Sequence, residues 1–66
     1  MKQIAYIVET DTDTQTFPVN HTGLEAAINL AKENHTNVDV QQELDNGNIQ
    51  FEEVWNFIET MNFALA

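Results

Sequence analysis

Polar and apolar positions alternate over residues 2–10, with Ile4, Tyr6 and Val8 on one side and Ala5, Ile7 and Glu9 on the other. A period of two with β-branched residues predicts a strand. Apolar groups on both sides predict that it is central in its sheet. Asp11-Thr12-Asp13 reads as a turn, because Asp side chains can bond their own backbone. Alternation resumes over 14–19, with Gln15, Phe17 and Val19 on one face. Pro18 lacks a donor, which places this second strand at an edge. The two strands are expected to form a hairpin.

The period then changes. Leu24, Ala27, Ile28 and Ala31 fall at i, i+3, i+4 and i+7, a single helical stripe that Leu30 widens. Glu25, Asn29, Lys32 and Glu33 take the wetter side. Thr22-Gly23-Leu24-Glu25 matches a capping box, with Thr22 as the cap and Glu25 reaching back. The run Asn34-His35-Thr36-Asn37 is poor in helix formers and ends the helix near Asn34 or His35.

Over 37–44 the pattern returns to two, with Val38, Val40, Gln42 and Leu44 set against Asp39, Gln41 and Glu43. This predicts a half-exposed strand with an acidic outer face. Asp45-Asn46-Gly47-Asn48 is a hairpin turn in which Gly47 can take positive φ. Ile49 and Phe51 open the return strand. The last segment fits two patterns. Ile49, Phe51, Trp55 and Phe57 suit a strand, whereas Phe51, Val54, Trp55, Ile58, Met61 and Leu65 suit a helical stripe. The reading adopted is a strand to about Glu53, then a short C-terminal helix or extension packing Trp55 and Ile58 on the sheet. The expected fold is α+β: one domain over 1–66, a small antiparallel sheet on one helix, in the order β-β-α-β-β.

Composition sharpens this picture. At 66 residues the core is thin, because so small a chain buries only roughly 60% of its unfolded surface. A deep enclosed active site is not expected. A 42% apolar content is nonetheless enough for a core and argues against wholesale disorder. The chain has no cysteine, which removes disulfides, thiolate nucleophiles and Cys-ligated zinc. Neither a signal peptide nor a membrane span is legible, so a cytoplasmic location is expected.

Charge is the unusual feature. Eleven acids face only Lys2 and Lys32, for a net charge of −9, beyond the about 2–8 usual for a small domain. Self-repulsion of this size opposes compaction. Nucleic acid and anionic membranes would be repelled, whereas a basic partner would be attracted, with association weakening as salt rises.

The candidate chemistry is sparse. His21 and His35 bracket the helix, roughly 20 Å apart, and cannot share a metal within one chain. Asp11-x-Asp13-x-Gln15 matches the opening of a calcium loop, but Thr16 and Thr22 stand where glycine and an acid are required. Asn20-His21-Thr22 and Asn34-His35-Thr36 fit the glycosylation pattern, and helix capping and helix termination account for them. The sequence holds no Ser and no Gly-rich phosphate loop. Glu52 and Glu53 are adjacent, so on a strand they face opposite sides. No enzyme, metal or cofactor is expected. Trp55, Phe51, Phe57 and Phe63 gather late in the chain and read as packing residues, or as interface anchors where exposed.

The acids themselves are the remaining signal. Asp39 and Glu43 share a strand face, which Asp45 continues, and Glu52 is expected to join them from the neighbouring strand. Glu9, Asp11 and Asp13 form a second group at the first hairpin. With Glu53, these are the candidate partner-binding residues. Same-face carboxylates on a strand lie about 6.6 Å apart, and phosphates recur about every 3.4 Å of axis along a DNA strand. A carboxylate ladder can therefore approximate a row of phosphates.

In length, acidity and element order the chain resembles the small bacteriophage-encoded anti-CRISPR proteins, compact α/β domains that inhibit host defence by acidic DNA mimicry. No residue motif carries the likeness. It implies a non-enzymatic inhibitor, monomeric or homodimeric, whose partner is a basic nucleic-acid-binding protein such as a CRISPR effector complex. Basic residues in such a groove read phosphates and base edges. The rival reading is a protein–protein interaction module, antitoxin-like or subunit-bridging, that uses the aromatic C-terminal region.

Overall fold

The computed structural model describes residues 1–58. The elements follow as β1 (Lys2–Glu9), β2 (Thr14–Phe17), α1 (His21–Asn34), β3 (Val38–Glu43) and β4 (Ile49–Trp55). The strands form one antiparallel sheet in the spatial order β2-β1-β3-β4. The fold is therefore α+β in the expected order. β1 is central and β2 is an edge strand. β2 stops at Phe17, because Pro18 cannot donate to a ladder. β4 runs on to Trp55, past the expected end at Glu53. Phe57 and Ile58 are helical; the rest of the expected terminal helix, with Met61, Phe63 and Leu65, lies outside the described residues.

The period of two decides which side chains meet the helix. Tyr6 pairs with Phe17 and Val40, and Val8 with Gln15. Val38 pairs with Trp55. Val8, Ala27, Ala31 and Val38 form the fully buried core, flanked by Tyr6, Phe17, Leu24, Ile28, Leu30 and Trp55. Small residues in the helical stripe let α1 sit close to the sheet. It lies mainly over β1 and β2 and reaches β3 less.

The helix begins earlier than the capping-box pattern suggests. Asn20, not Thr22, is the cap: its backbone is extended and its Oδ1 accepts from the Gly23 amide at 2.7 Å. Asn is at least as good a cap as Thr. The approach to the helix also requires this frame. A Cβ on Gly23 would lie 1.9 Å from the Pro18 carbonyl oxygen, so the chain leaving β2 crosses the first helical turn where only glycine fits. Glu25, freed from any box, lies 3.7 Å from the His21 imidazole.

At the other end His35 adopts φ 53°, ψ 45°, with its amide directed at the Ala31 and Lys32 carbonyls, while the Thr36 amide donates to Ala31. This is a Schellman-type stop, with histidine where glycine is usual. The His35 ring stacks on Phe57 at 4.7 Å, and Phe57 meets Trp55 edge-on at 6.3 Å. The Phe57 amide donates to Asn37 Oδ1 at 3.0 Å. These contacts clamp the end of β4 to the helix terminus.

Candidate functional site

Only one face of the sheet is covered by the helix. On the other, Thr16, Ile7, Asp39 and Glu53 lie in a row straight across β2, β1, β3 and β4. Glu9 sits one same-face step along β1 from Ile7, diagonal to Asp39. Asp39 therefore has a like charge directly opposite on β4 and another diagonally placed on β1. Ile7 is buried beside it at 8% exposure. Burial first, then Glu53, then Glu9, raises the Asp39 carboxyl above its usual 3.8. A carboxylate here is costlier than one in water, and each additional acid increases the cost.

Asp11 and Asp13 carry this negative end past Glu9 into the β1–β2 turn, where both are exposed. Asp13 is held in place: its Oδ1 accepts from the Thr14 amide at 2.8 Å, and its own amide donates to Thr10 Oγ1 at 3.1 Å. Glu9, Asp39 and Glu53 thus share one end of the open face, and the turn that holds Asp11 and Asp13 adjoins that end of the sheet. Neither lysine forms an ion pair among the described residues; the ion pairs there are Met1 with Asp45 and His21 with Glu25.

The remaining candidates lie elsewhere. Glu43 is at the far end of the open face, opposite Lys2. Asp45 lies in the β3–β4 turn and holds the N-terminal ammonium at 2.7 Å. Glu52 does not join Asp39 and Glu43. It pairs with Val40, on the helix side, and its Oε2 accepts from Gln42 Nε2 at 2.9 Å. The register explains this: Leu44 bonds Asn48 across the turn, so odd residues of β3 meet odd residues of β4. Asp39 accordingly meets Glu53. A three-residue turn at Asp45-Asn46-Gly47, with Gly47 at φ 85°, was the sequence signal that could have placed it.

Of the apolar residues of β4, the sequence leaves Phe51 open between packing and exposure. Ile49 and Phe51 share the open face with Glu53, and Phe51 is 58% exposed. Trp55 alone on that strand packs on the core. No cavity opens among the described residues, and no three acids or histidines there converge closely enough to hold a metal ion. No described helix is long and apolar enough to cross a membrane. The open face is thus an exposed surface, acidic at one end and apolar at Ile49 and Phe51. No family model, curated protein or solved structure matches the chain.

Proposed function

We propose that the protein is a non-enzymatic binder that lays the acidic end of its open sheet face on a basic, nucleic-acid-reading surface of another protein and keeps nucleic acid off it. The observation that carries this reading is Asp39, partly buried with Glu53 opposite and Glu9 diagonal. Like charges across strands destabilise a sheet, and a 66-residue chain has little stability in reserve. A cationic surface would relieve that repulsion on contact. Strands lie about 4.8 Å apart, so Asp39 and Glu53 on neighbouring strands, with Glu9 diagonal, form a close anionic group that a phosphate-reading surface would attract. The DNA groove of an RNA-guided defence complex, the partner class implied by the resemblance to anti-CRISPR proteins, is the first target to try.

The test is capture of host proteins on the immobilised chain. Binding should fall as salt rises, and duplex DNA should displace the captured protein. Glu9→Gln, Asp39→Asn and Glu53→Gln should each weaken capture, while Glu33→Gln, exposed on the helix, should not. Capture indifferent to salt, to duplex DNA and to these three substitutions would remove the basis of the proposal.

A further inference from the structure

β4 ends the sheet with an open edge of seven residues, and among the described residues no strand pairs with its outer side. The other edge is blunted: β2 has four residues and runs into Pro18. In an antiparallel ladder each residue directs both of its backbone groups to the same side, and the direction alternates. Leu44 bonds Asn48, so Asn48, Gln50 and Glu52 face β3. The amides and carbonyls of Ile49, Phe51 and Glu53 therefore point outward. The same three residues carry the exposed side chains of the open face, two of them apolar and one acidic.

We infer that the β4 edge takes up an extended segment of the basic partner as a fifth, antiparallel strand. This deepens the proposed function by naming what the acidic face binds. Backbone bonds would supply affinity, and alternate side chains specificity. Charge selects the occupant. Glu52 and Glu53 call for two consecutive basic residues, with Lys or Arg opposite Glu53 also reaching toward Asp39. Phe51 and Ile49 then call for apolar residues on the open face, with a polar residue opposite Gln50. The segment reads, from its N-terminus, basic-basic-apolar-polar-apolar. A second copy of this chain fits less well, because each copy brings a net charge of −9 to the same edge.

The probe is a fluorescently labelled peptide, Thr-Lys-Lys-Val-Thr-Val-Thr, titrated onto the full chain and read by anisotropy. Two derivatives carry N-methyl groups on alternate residues. Methylation of the three residues set opposite Glu53, Phe51 and Ile49 removes the donors that face β4 and should weaken binding at least about tenfold. Methylation of the two intervening residues should leave it nearly unchanged. Equal binding of the two derivatives, or no binding of the parent peptide, overturns the inference. So does a dimer in sedimentation that excess peptide fails to dissociate, since a second copy then holds the edge. Capture of a basic protein that is lost in Asp39→Asn and Glu53→Gln, together with equal binding of both derivatives, would defeat the strand while sparing the proposed function. Discrimination between the derivatives without salt-sensitive capture would do the reverse.

Discussion

Neutralising Asp39 should make the protein more stable and a weaker binder. The substitution Asp39→Asn keeps size and shape while removing the central charge of the row. Directly opposed like charges on neighbouring strands cost about 0.2–1 kcal/mol, which is the Glu53 contribution. Glu9 is diagonal, about 7 Å away, where two charges repel by about 0.6 kcal/mol in water and about 0.2 kcal/mol after screening at physiological salt. Solvent limits both terms, because Asp39 is only partly buried. Together they make the variant about 1 kcal/mol more stable, or about 5 °C in Tm for a domain of this size. The pH dependence has a definite sign. Asp39 holds its proton more tightly when folded than its unfolded reference of 3.8. Its favourable effect is therefore present in acid and is lost as pH rises past 3.8 and through the folded value. The gain in Asp39→Asn should be full at neutral pH and vanish in acid. Thermal melts followed by circular dichroism, at low and at high salt and at pH 7 and pH 3, test this. Glu53→Gln added to Asp39→Asn should give less than the sum of the two single gains. A variant no more stable than the parent at pH 7, or a gain that persists undiminished at high salt, would refute the electrostatic argument.

Gly23→Ala should cost about 3 kcal/mol in urea unfolding, since the new methyl meets a backbone carbonyl that cannot rotate away. Asn20→Ala should cost about 1 kcal/mol and Thr22→Ala much less, reversing the order a Thr22 cap requires; paired thermal melts decide between them. Gln42 is 3% exposed, its Oε1 has no partner and its Nε2 donates to Glu52, so Gln42→Met together with Glu52→Gln, which removes the orphan acceptor without leaving a carboxylate short of its donor, should raise stability by about 1 kcal/mol. The check on this is a higher urea midpoint with an unchanged m value.

The period of hydrophobicity carried most of the fold. Val38, Val40 and Gln42 proved to be the inward row of β3, and Leu24, Ala27, Ile28 and Ala31 the inward stripe of α1, because burial imposes those spacings directly. The helix start was not legible. Asn20 and Thr22 are both good caps, and the choice between them rests on Pro18 passing over Gly23, a contact between segments that local pattern does not express. The acidic site was half legible. Glu9 and Asp39 were named, but in separate groups, and only the strand order β1-β3 unites them. Placing Glu52 with Asp39 failed for want of the register, which slips sides with one residue of turn length. Whether Phe51 packs or is exposed was left open for a related reason: an apolar residue on a strand is expected inside only if something covers that face.

The helix rests mainly on β1 and β2, and β4 meets the core through Trp55, so the rest of that strand is secured by its ladder to β3 and by the Trp55–Phe57–His35 stack at one end. Between Ile49 and Glu53 none of its side chains belongs to the cluster around Val8, Ala27 and Ala31. Amides there should exchange with solvent through small local openings while the interior stays protected. The stretch expected to open first thus also carries Phe51, whose ring lies largely in water.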